Sequence, residues 1–382
     1  MSADPSIVLS GLALANPYVG QGVYSLRLIE GLTRQFSGNF LVVAPAAIAR
    51  PQQLPAKNFL AMPPLRTPKN SLVNHAIVSE RLLRFVRREF PNSVFHSPGP
   101  ILGSTKPART VVTLHDCINR HFANYDGRFF IRRMLLNGSE RFAASSSLVL
   151  TDSEFSRRDL IAKAGIPENK IQILFPWVGN EFLQPIAEES VEALRQKFAL
   201  PNRFWLYLGG YDYRKNVGLL IEAYAAAARS RRLPPLALAG QIPERRHRAL
   251  CDVQGAIDRS GLRADQILRI GLVPAPELPA LYRATTLLIY PSLMEGFGLP
   301  PAEAIAVGTP VLASNASSLP EVVNNRECLF DPQSSGALTD KLLEAANDPQ
   351  QFKADLSSNF TESYGLGRYL KLINGLANQP DS

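Results

Sequence analysis

"TLLIYPSLMEGFGLPPAEAIAVGTPVLAS" spans residues 286–314. It opens and closes with short apolar runs, "TLLIYP" (286–291) and "PVLAS" (310–314). Between them, Pro300 and Pro301 suit a helix start, where a missing N–H costs little, and Gly308 suits its end. Strand, helix and strand in this order make one unit of a parallel sheet with helices on its faces. The loop ahead of the helix carries Glu295, and Glu303 follows eight positions later. Gly296 and Gly298 let the backbone approach a ligand closely, and the free N–H groups of such a turn and helix start form an anion site. Glu303 is expected in the first helical turn, where it also reads simply as a carboxylate complementing the helix dipole.

The same alternation extends in both directions. Upstream lie the strands "RFWLYLGG" (203–210), "PLALAG" (235–240) and "ILRIG" (267–271), preceded by a charged helix over 187–200. Earlier still come "SIVLSG" (6–11), a helix over 20–36, "NFLVVAP" (39–45), a helix over 73–90, and the strands of 93–99, 109–116 and 170–176. Val23, Leu26, Ile29, Leu32 and Phe36 recur at helical spacing. The expected fold class is α/β: two doubly wound Rossmann-like domains facing a central cleft. The domains are expected at 1–180 and 181–362, with a final helix over 363–382 returning to the first.

With 382 residues, 46% hydrophobic and 19% charged, the chain has the composition of a soluble protein of two domains. A net charge of +8 favours acidic partners: phosphates, nucleotides, anionic lipid or nucleic acid. Cys117, Cys251 and Cys328 have no spacing that suggests zinc or a disulfide framework, which favours a reducing, cytoplasmic compartment. The N-terminal apolar run follows Asp4 and no Lys or Arg, so it reads as a buried strand and not as a signal peptide. No run reaches the ~18 apolar residues of a membrane-spanning helix.

In open α/β sheets ligands sit beyond the carboxyl ends of the strands. After "RFWLYLGG" come Gly209, Gly210, Arg214 and Lys215; two adjacent cations before a helix suit a diphosphate, or are a solvated surface pair. After the strand of 109–116 stand His115 and Asp116, placed for proton exchange or hydrogen bonding near neutral pH, or as structural residues. Gly20 and Gly22 precede the first long helix, lining the cleft or making a plain turn.

Together "EGFGLPPAEA", "GGYDYRKNVGLLIEAY", "LVPAPELPALYRATTLLIYPS", "TLHD" and "TDSEFSRRDLI" resemble the retaining family 4 glycosyltransferases of the GT-B fold, in the family's order over nearly the whole chain. The resemblance implies that Glu303 hydrogen-bonds the ribose of a nucleotide sugar and that Glu295 lies near the donor sugar. Gly296, Phe297, Gly298 and Leu299 then offer backbone N–H groups to sugar and phosphate, while Arg214 and Lys215 neutralise the diphosphate. His115 lies near the transferred sugar, and Gly20 and Gly22 face the diphosphate or acceptor. Two features depart from the family: "FPWVGNEF" has Trp177 and Val178 where relatives carry Asn-Gly, and Gln21 separates glycines that are often adjacent.

The implied activity is transfer of a sugar, GDP-mannose being the first donor and UDP-glucose the second, to a glycan or lipid-linked saccharide, with retention of configuration. No D-x-D motif or metal cluster is present in the sequence, so no metal and no other cofactor is expected. Arg81, Arg84 and Arg88 share a helical stripe and 128–142 adds cations, which suit weak contact with anionic lipid or an ordinary solvated face. The alternatives are a catalytically inactive family member serving as a nucleotide-sugar-binding subunit, and a sugar-nucleotide epimerase. A dinucleotide oxidoreductase fails because "GQGVYS" lacks a third glycine and begins too far from its strand. A nucleic-acid module fails because the cations are not interleaved with exposed aromatics.

Overall fold

The computed structural model describes residues 5–17, 19–64, 71–122, 129–241 and 250–378, the side chains of 71, 72 and 129–136 excepted. It divides into two units, one of Met1–Trp177 with Thr361–Ser382 and one of Val178–Phe360. The boundaries expected at 180/181 and 362/363 thus fall at 177/178 and 360/361. The cause is local. The Trp177 ring is buried in the core of the first unit, while the Val178 N–H donates to the Phe360 carbonyl in the second at 2.9 Å.

The first sheet contains β1 (Ile7–Ser10), β2 (Phe40–Pro45), β3 (Phe59–Met62), β4 (Val94–Ser97), β5 (Arg109–Thr113), β6 (Leu148–Thr151) and β7 (Ile171–Ile173). All neighbours are parallel, in the order 3-2-1-4-5-6-7. The second contains β8 (Trp205–Leu208), β9 (Leu236–Ala239), β10 (Ile267–Gly271), β11 (Leu287–Tyr290), β12 (Val311–Ser314) and β13 (Leu329–Phe330), parallel in the order 10-9-8-11-12-13. The helices used below are α1 (Gly20–Gln35), α2 (Ser71–Glu89), α3 (Val217–Ser230), α4 (Leu299–Val307) and α5 (Glu362–Ala377).

Parallel strands are covered on both faces and therefore read as unbroken apolar runs. Successive residues serve opposite cores: Ile7 and Leu9 one, Val8 the other; Val111 one, Val112 the other; Leu148 and Leu150 one, Val149 the other. The first of these cores is completed by both ends of its unit. α1 supplies Tyr24, Leu28, Ile29 and Leu32, and α5 supplies Leu366, Tyr369 and Ile373. Arg34 on α1 pairs with Glu362 at 2.5 Å, and Arg368 on α5 donates to the Ile173 carbonyl at 2.7 Å.

Trp177, the departure noted above, sits between two glycines. Its ring lies 3.7 Å from where a Cβ on Gly31 would stand and 2.4 Å from one on Gly365. Gly20 to Gly22 correct an expectation. They form the first turn of α1 and not a loop before it. Gly22 is required there because a Cβ would stand 2.1 Å from the Asn16 carbonyl oxygen, whereas Gly20 meets nothing within 4 Å.

Gly365 and Gly367 give the core a paired test. Gly367→Ala, exposed and unobstructed, is expected to raise stability by ~0.5–1 kcal/mol through helix propensity. Gly365→Ala is expected to lower it by about 1–3 kcal/mol, because the clash with the fixed Trp177 ring outweighs the same gain. Urea unfolding of both variants measures this; equal signs would show that Trp177 has room to move.

Candidate functional site

Where strand order reverses, the loops leaving two neighbouring strands diverge and open a crevice. In the second unit the reversal lies between β8 and β11. The loop after β8 carries Arg214 and Lys215; the loop after β11 carries Glu295. Their backbones are joined directly, since the Leu293 N–H donates to the Arg214 carbonyl at 2.7 Å. Asn216, in the left-handed region at φ 56°, turns the chain into α3 and donates its side-chain amide to the Pro332 carbonyl at 2.9 Å. Asn tolerates that conformation better than most residues.

Glu295 lies between the two cations. One carboxylate oxygen accepts from Lys215 Nζ at 2.5 Å and from the Tyr290 hydroxyl at 3.0 Å; the other accepts from Arg214 Nη1 at 2.9 Å. Lys215 Nζ also reaches the Tyr290 oxygen at 2.8 Å and lies 5.1 Å from the centre of its ring. Arg214 is braced by Asp212 at 3.0 Å and by the Met294 carbonyl at 3.1 Å. Glu295 and Lys215 are each only 8% exposed. The Glu295 N–H donates to Ser317 Oγ at 2.9 Å, and the Ser318 hydroxyl lies 3.0 Å from the Glu295 carbonyl and 2.7 Å from that of Phe297.

Burial alone would push the Glu295 carboxyl up. The charges of Lys215 and Arg214 overcome it and hold the group at about 2. For Lys215, burial pulls the ammonium below its ordinary value, and the attraction of Glu295 offsets that only in part because Arg214 repels it. A pair this buried is strong only while both members are present.

The α4 end of the site differs from expectation in one respect. Glu303 is the fifth residue of α4, in its second turn, because the helix begins at Leu299 ahead of both prolines. Its carboxylate accepts from the Tyr282 hydroxyl at 3.1 Å and is 5% exposed. Of the first three helical residues only Leu299 carries an N–H, since Pro300 and Pro301 have none. Gly298 has φ 114° and a Cβ there would stand 2.7 Å from Leu319 Cδ2, so only glycine fits. Phe297 is buried edge-on to Phe360, ring centres 5.0 Å apart, which fixes the backbone of Gly296 and Gly298. Gly209 and Gly210 leave β8 as expected. A Cβ on Gly240 would stand 2.1 Å from the Gly209 carbonyl oxygen, and the Tyr207 hydroxyl donates to the Gly210 carbonyl.

His115 belongs to the first unit, beyond the carboxyl end of β5. Its Nδ1 lies 2.8 Å from Asp152 Oδ2 and its Nε2 lies 3.1 Å from the Pro98 carbonyl. The Tyr24 ring stands edge-on to it at 5.0 Å. Arg214, Lys215 and Glu295, read from two separate loops in the sequence, meet in one ion-pair cluster, whereas sequence reasoning missed Tyr290, Asp212, Tyr282 and Asp152, which touch the candidate side chains. Tyr290 is hidden inside an apolar strand run. Asp152 had a readable signal: "LTD" ends β6 at the same level as "TLHD" ends β5, with Thr113 opposite Leu150 in the register. Among the described residues, no group of three or more His, Cys, Asp or Glu side chains is placed to hold a metal ion.

Two glycosyltransferase family models together match most of the chain, and the chain belongs to the family 4 glycosyltransferases. Residues 18–180 match the family model described as Glycosyltransferase Family 4, and residues 190–363 match Glycosyl transferases group 1. The O-antigen chain mannosyltransferase B of Escherichia coli is 28% identical over 353 residues, which cover 90% of this chain and 91% of that protein. Among solved structures, sucrose-phosphate synthase from Thermosynechococcus elongatus superposes with a TM-score of 0.74 at 18% identity, covering 97% of this chain and 99% of that one. HepE of Anabaena, in complex with UDP and glucose, superposes with a TM-score of 0.70 at 19% identity, covering 97% and 99%. These likenesses show that the fold is GT-B.

The Glu295 charge has a pH signature. A carboxyl held below its unfolded value contributes stability above that value and loses it as pH falls through the folded one. The stability gap between wild type and Glu295→Gln is expected to be about 3–5 kcal/mol near neutrality, the cost of leaving a buried partner unpaired. It is expected to close as pH falls from about 4.5 to about 2. Urea unfolding across that range measures it; a gap that stays constant would show that the carboxylate charge does not hold Lys215.

Proposed function

We propose that the chain moves a mannosyl group from GDP-mannose to a glycan or lipid-linked saccharide, with retention of anomeric configuration and without a metal or other cofactor. The observation that carries the donor half is the buried Arg214–Glu295–Lys215 arrangement at the strand reversal. Two cations fixed before substrate arrives stabilise charge growing on a departing diphosphate with little reorganisation. They do the electrostatic work that a divalent ion does in other transferases. The relative named as an O-antigen mannosyltransferase supports mannose as the sugar and a saccharide as the acceptor. UDP-glucose is the second donor to test.

In this reading Glu303, braced by Tyr282, receives the ribose hydroxyls, and the backbone of Gly296 to Leu299 meets sugar and phosphate. Gly209 and Gly210 give the diphosphate room beside Arg214 and Lys215. The acceptor attacks the face from which the diphosphate leaves, and the departing phosphate oxygen takes its proton. Arg214→Ala is expected to lower turnover about 10²-fold, as losing one preorganised donor does. Glu303→Ala is expected to weaken nucleotide-sugar binding by roughly 1.5–3 kcal/mol in calorimetry. NMR of the product from an α-linked donor, with and without EDTA, tests the chemistry: an α-linked product formed in EDTA is expected, and a β-linked product or a requirement for added metal would overturn it.

The proposed location is the cytoplasm, with weak contact to the anionic inner face of the membrane through α2. Val73 and Ile77 are exposed on the helical face that also carries Arg84 and Arg88. Two of the charges are partly spent, Arg84 on Glu80 at 2.7 Å and Arg88 on Glu89 at 2.6 Å, and Arg81 donates to the Pro63 carbonyl at 2.9 Å. Of the cations expected over 128–142, the side chains of Arg128, Arg132 and Arg133 lie outside what the structure describes, and Arg141 is exposed. Among the described residues no helix is long and apolar enough to cross a membrane. Liposome flotation at low salt is expected to favour anionic over neutral vesicles, reversed by high salt; equal recovery from both would remove the membrane from the proposal.

A further inference from the structure

His115 is 7% exposed and Asp152 5% exposed. Both ring nitrogens of His115 face oxygens: Asp152 Oδ2 at 2.8 Å and the Pro98 carbonyl at 3.1 Å. A peptide carbonyl carries no hydrogen, so Nε2 must donate to Pro98. The remaining proton lies between Nδ1 and the carboxylate, and the imidazole is the stronger base of the two. With that proton on Nδ1 the ring is an imidazolium, donating at both ends, and neither nitrogen is open to accept a proton.

The surroundings favour this state. Burial opposes a charge on His115, but Asp152, the Pro98 carbonyl and Asp116 together raise it above its ordinary value. The other histidine at this end of the sheet, His96 on β4, is arranged oppositely. Its nitrogens meet the hydroxyls of Tyr369 at 3.1 Å and Thr113 at 2.9 Å, which can donate or accept, and burial together with the His115 charge lowers it to about 3. From α1, Tyr24 presents a ring edge, and burial raises its phenol so that it stays neutral. The groups facing His115 from α1, β4, the β5 exit and β6 are thus Tyr24, His96, Asp116 and Asp152, of which only the two aspartates bring charge.

We propose that Asp152 is a positioning residue for sugar transfer: it keeps His115 doubly protonated and clamped between the loops leaving β4 and β6, so that His115 serves as a fixed cation and not as a proton acceptor. This rests on the reading of the chain as a transferase that uses His115. Pro98 follows β4 at the strand reversal between β1 and β4, so the clamp sets the backbone at that unit's own crevice. Asn at position 152 would keep the shape but can turn its amide to donate to Nδ1, which releases the proton and the charge.

The test uses the full chain with ¹⁵N-labelled histidine, the His115 signals being assigned by their loss in His115→Gln. At about pH 7.5, well above the ordinary histidine value, both His115 nitrogens are expected to show imidazolium shifts. In Asp152→Asn one is expected to become unprotonated, with the titration midpoint lower by about one pH unit or more. Asp152→Glu is expected to restore the imidazolium. Turnover of Asp152→Asn on a nucleotide sugar is expected to fall about tenfold, with the donor KM changed less than about twofold, and to fall further as pH rises from about 6 to about 8 while wild type stays level. A wild-type His115 with a bare nitrogen at that pH would overturn the proposal, as would an unchanged protonation state or an unchanged pH profile in Asp152→Asn. The NMR readout needs no substrate, so failure of every donor to react would count against the transferase reading and leave the protonation result standing. If Asp152→Asn does not fold, the wild-type spectrum and Asp152→Glu decide.

Discussion

The donor-side site depends on one buried ion pair. Lys215 and Glu295 come from loops eighty residues apart in the chain, 2.5 Å apart in space. Neither is stable in a buried position alone, because removing an ion from water costs several kcal/mol that only a close partner offsets. The pair therefore ties the exit of β8 to the exit of β11 and makes the two loops one object. Tyr290 at the end of β11 and Asp212 after β8 extend it on either side. Two positive and two negative groups balance, yet the Arg214 side chain, 21% exposed, keeps part of its surface toward solvent.

The fold explains why this pair lies where it does. The order 10-9-8-11-12-13 reverses between β8 and β11, and a ligand crevice in an open α/β sheet lies at such a reversal. Glycine permits close passage at two points of this unit: a Cβ on Gly298 would meet Leu319, and one on Gly240 would meet the Gly209 carbonyl. The first unit repeats the plan with other chemistry. Its reversal lies between β1 and β4, and the group holding loops together there is the His115–Asp152 pair, with the Pro98 carbonyl as third member.

Much of the fold could be read from the chain because parallel strands buried on both faces leave a strong mark: "IVLS", "LVLT" and "LLIY" are apolar at every or nearly every position. β3 and β13 left a weaker mark. Phe59–Met62 is only partly buried, and Leu329–Phe330 has two residues, so an edge strand paired on one side carries little pattern. The charged part of the site was readable because Arg214, Lys215 and Glu295 stand in glycine-rich loops after strands. Its neutral part was not: Tyr290 and Tyr282 lie within apolar runs, and it is their hydroxyls that reach the carboxylates of Glu295 and Glu303. Glu303 falls at the start of the second turn of α4 and not in the first, because the helix begins at Leu299, one residue ahead of the two prolines.

The return of α5 to the first unit bears on the order in which the protein is made. Leu366, Tyr369, Ile373 and Leu376 belong to a core whose members outside α5 leave the ribosome far earlier. Between Trp177 and Thr361 the whole of Val178–Phe360 is synthesised, which at ~5–20 residues per second takes on the order of ten to forty seconds. Throughout that interval the first unit has its strands and α1 but lacks the helix that covers them, while the second has every residue it needs as soon as Phe360 appears. The nascent chain thus completes its later unit before its earlier one, and an apolar face built around Leu28, Leu32 and Trp177 waits uncovered in the meantime.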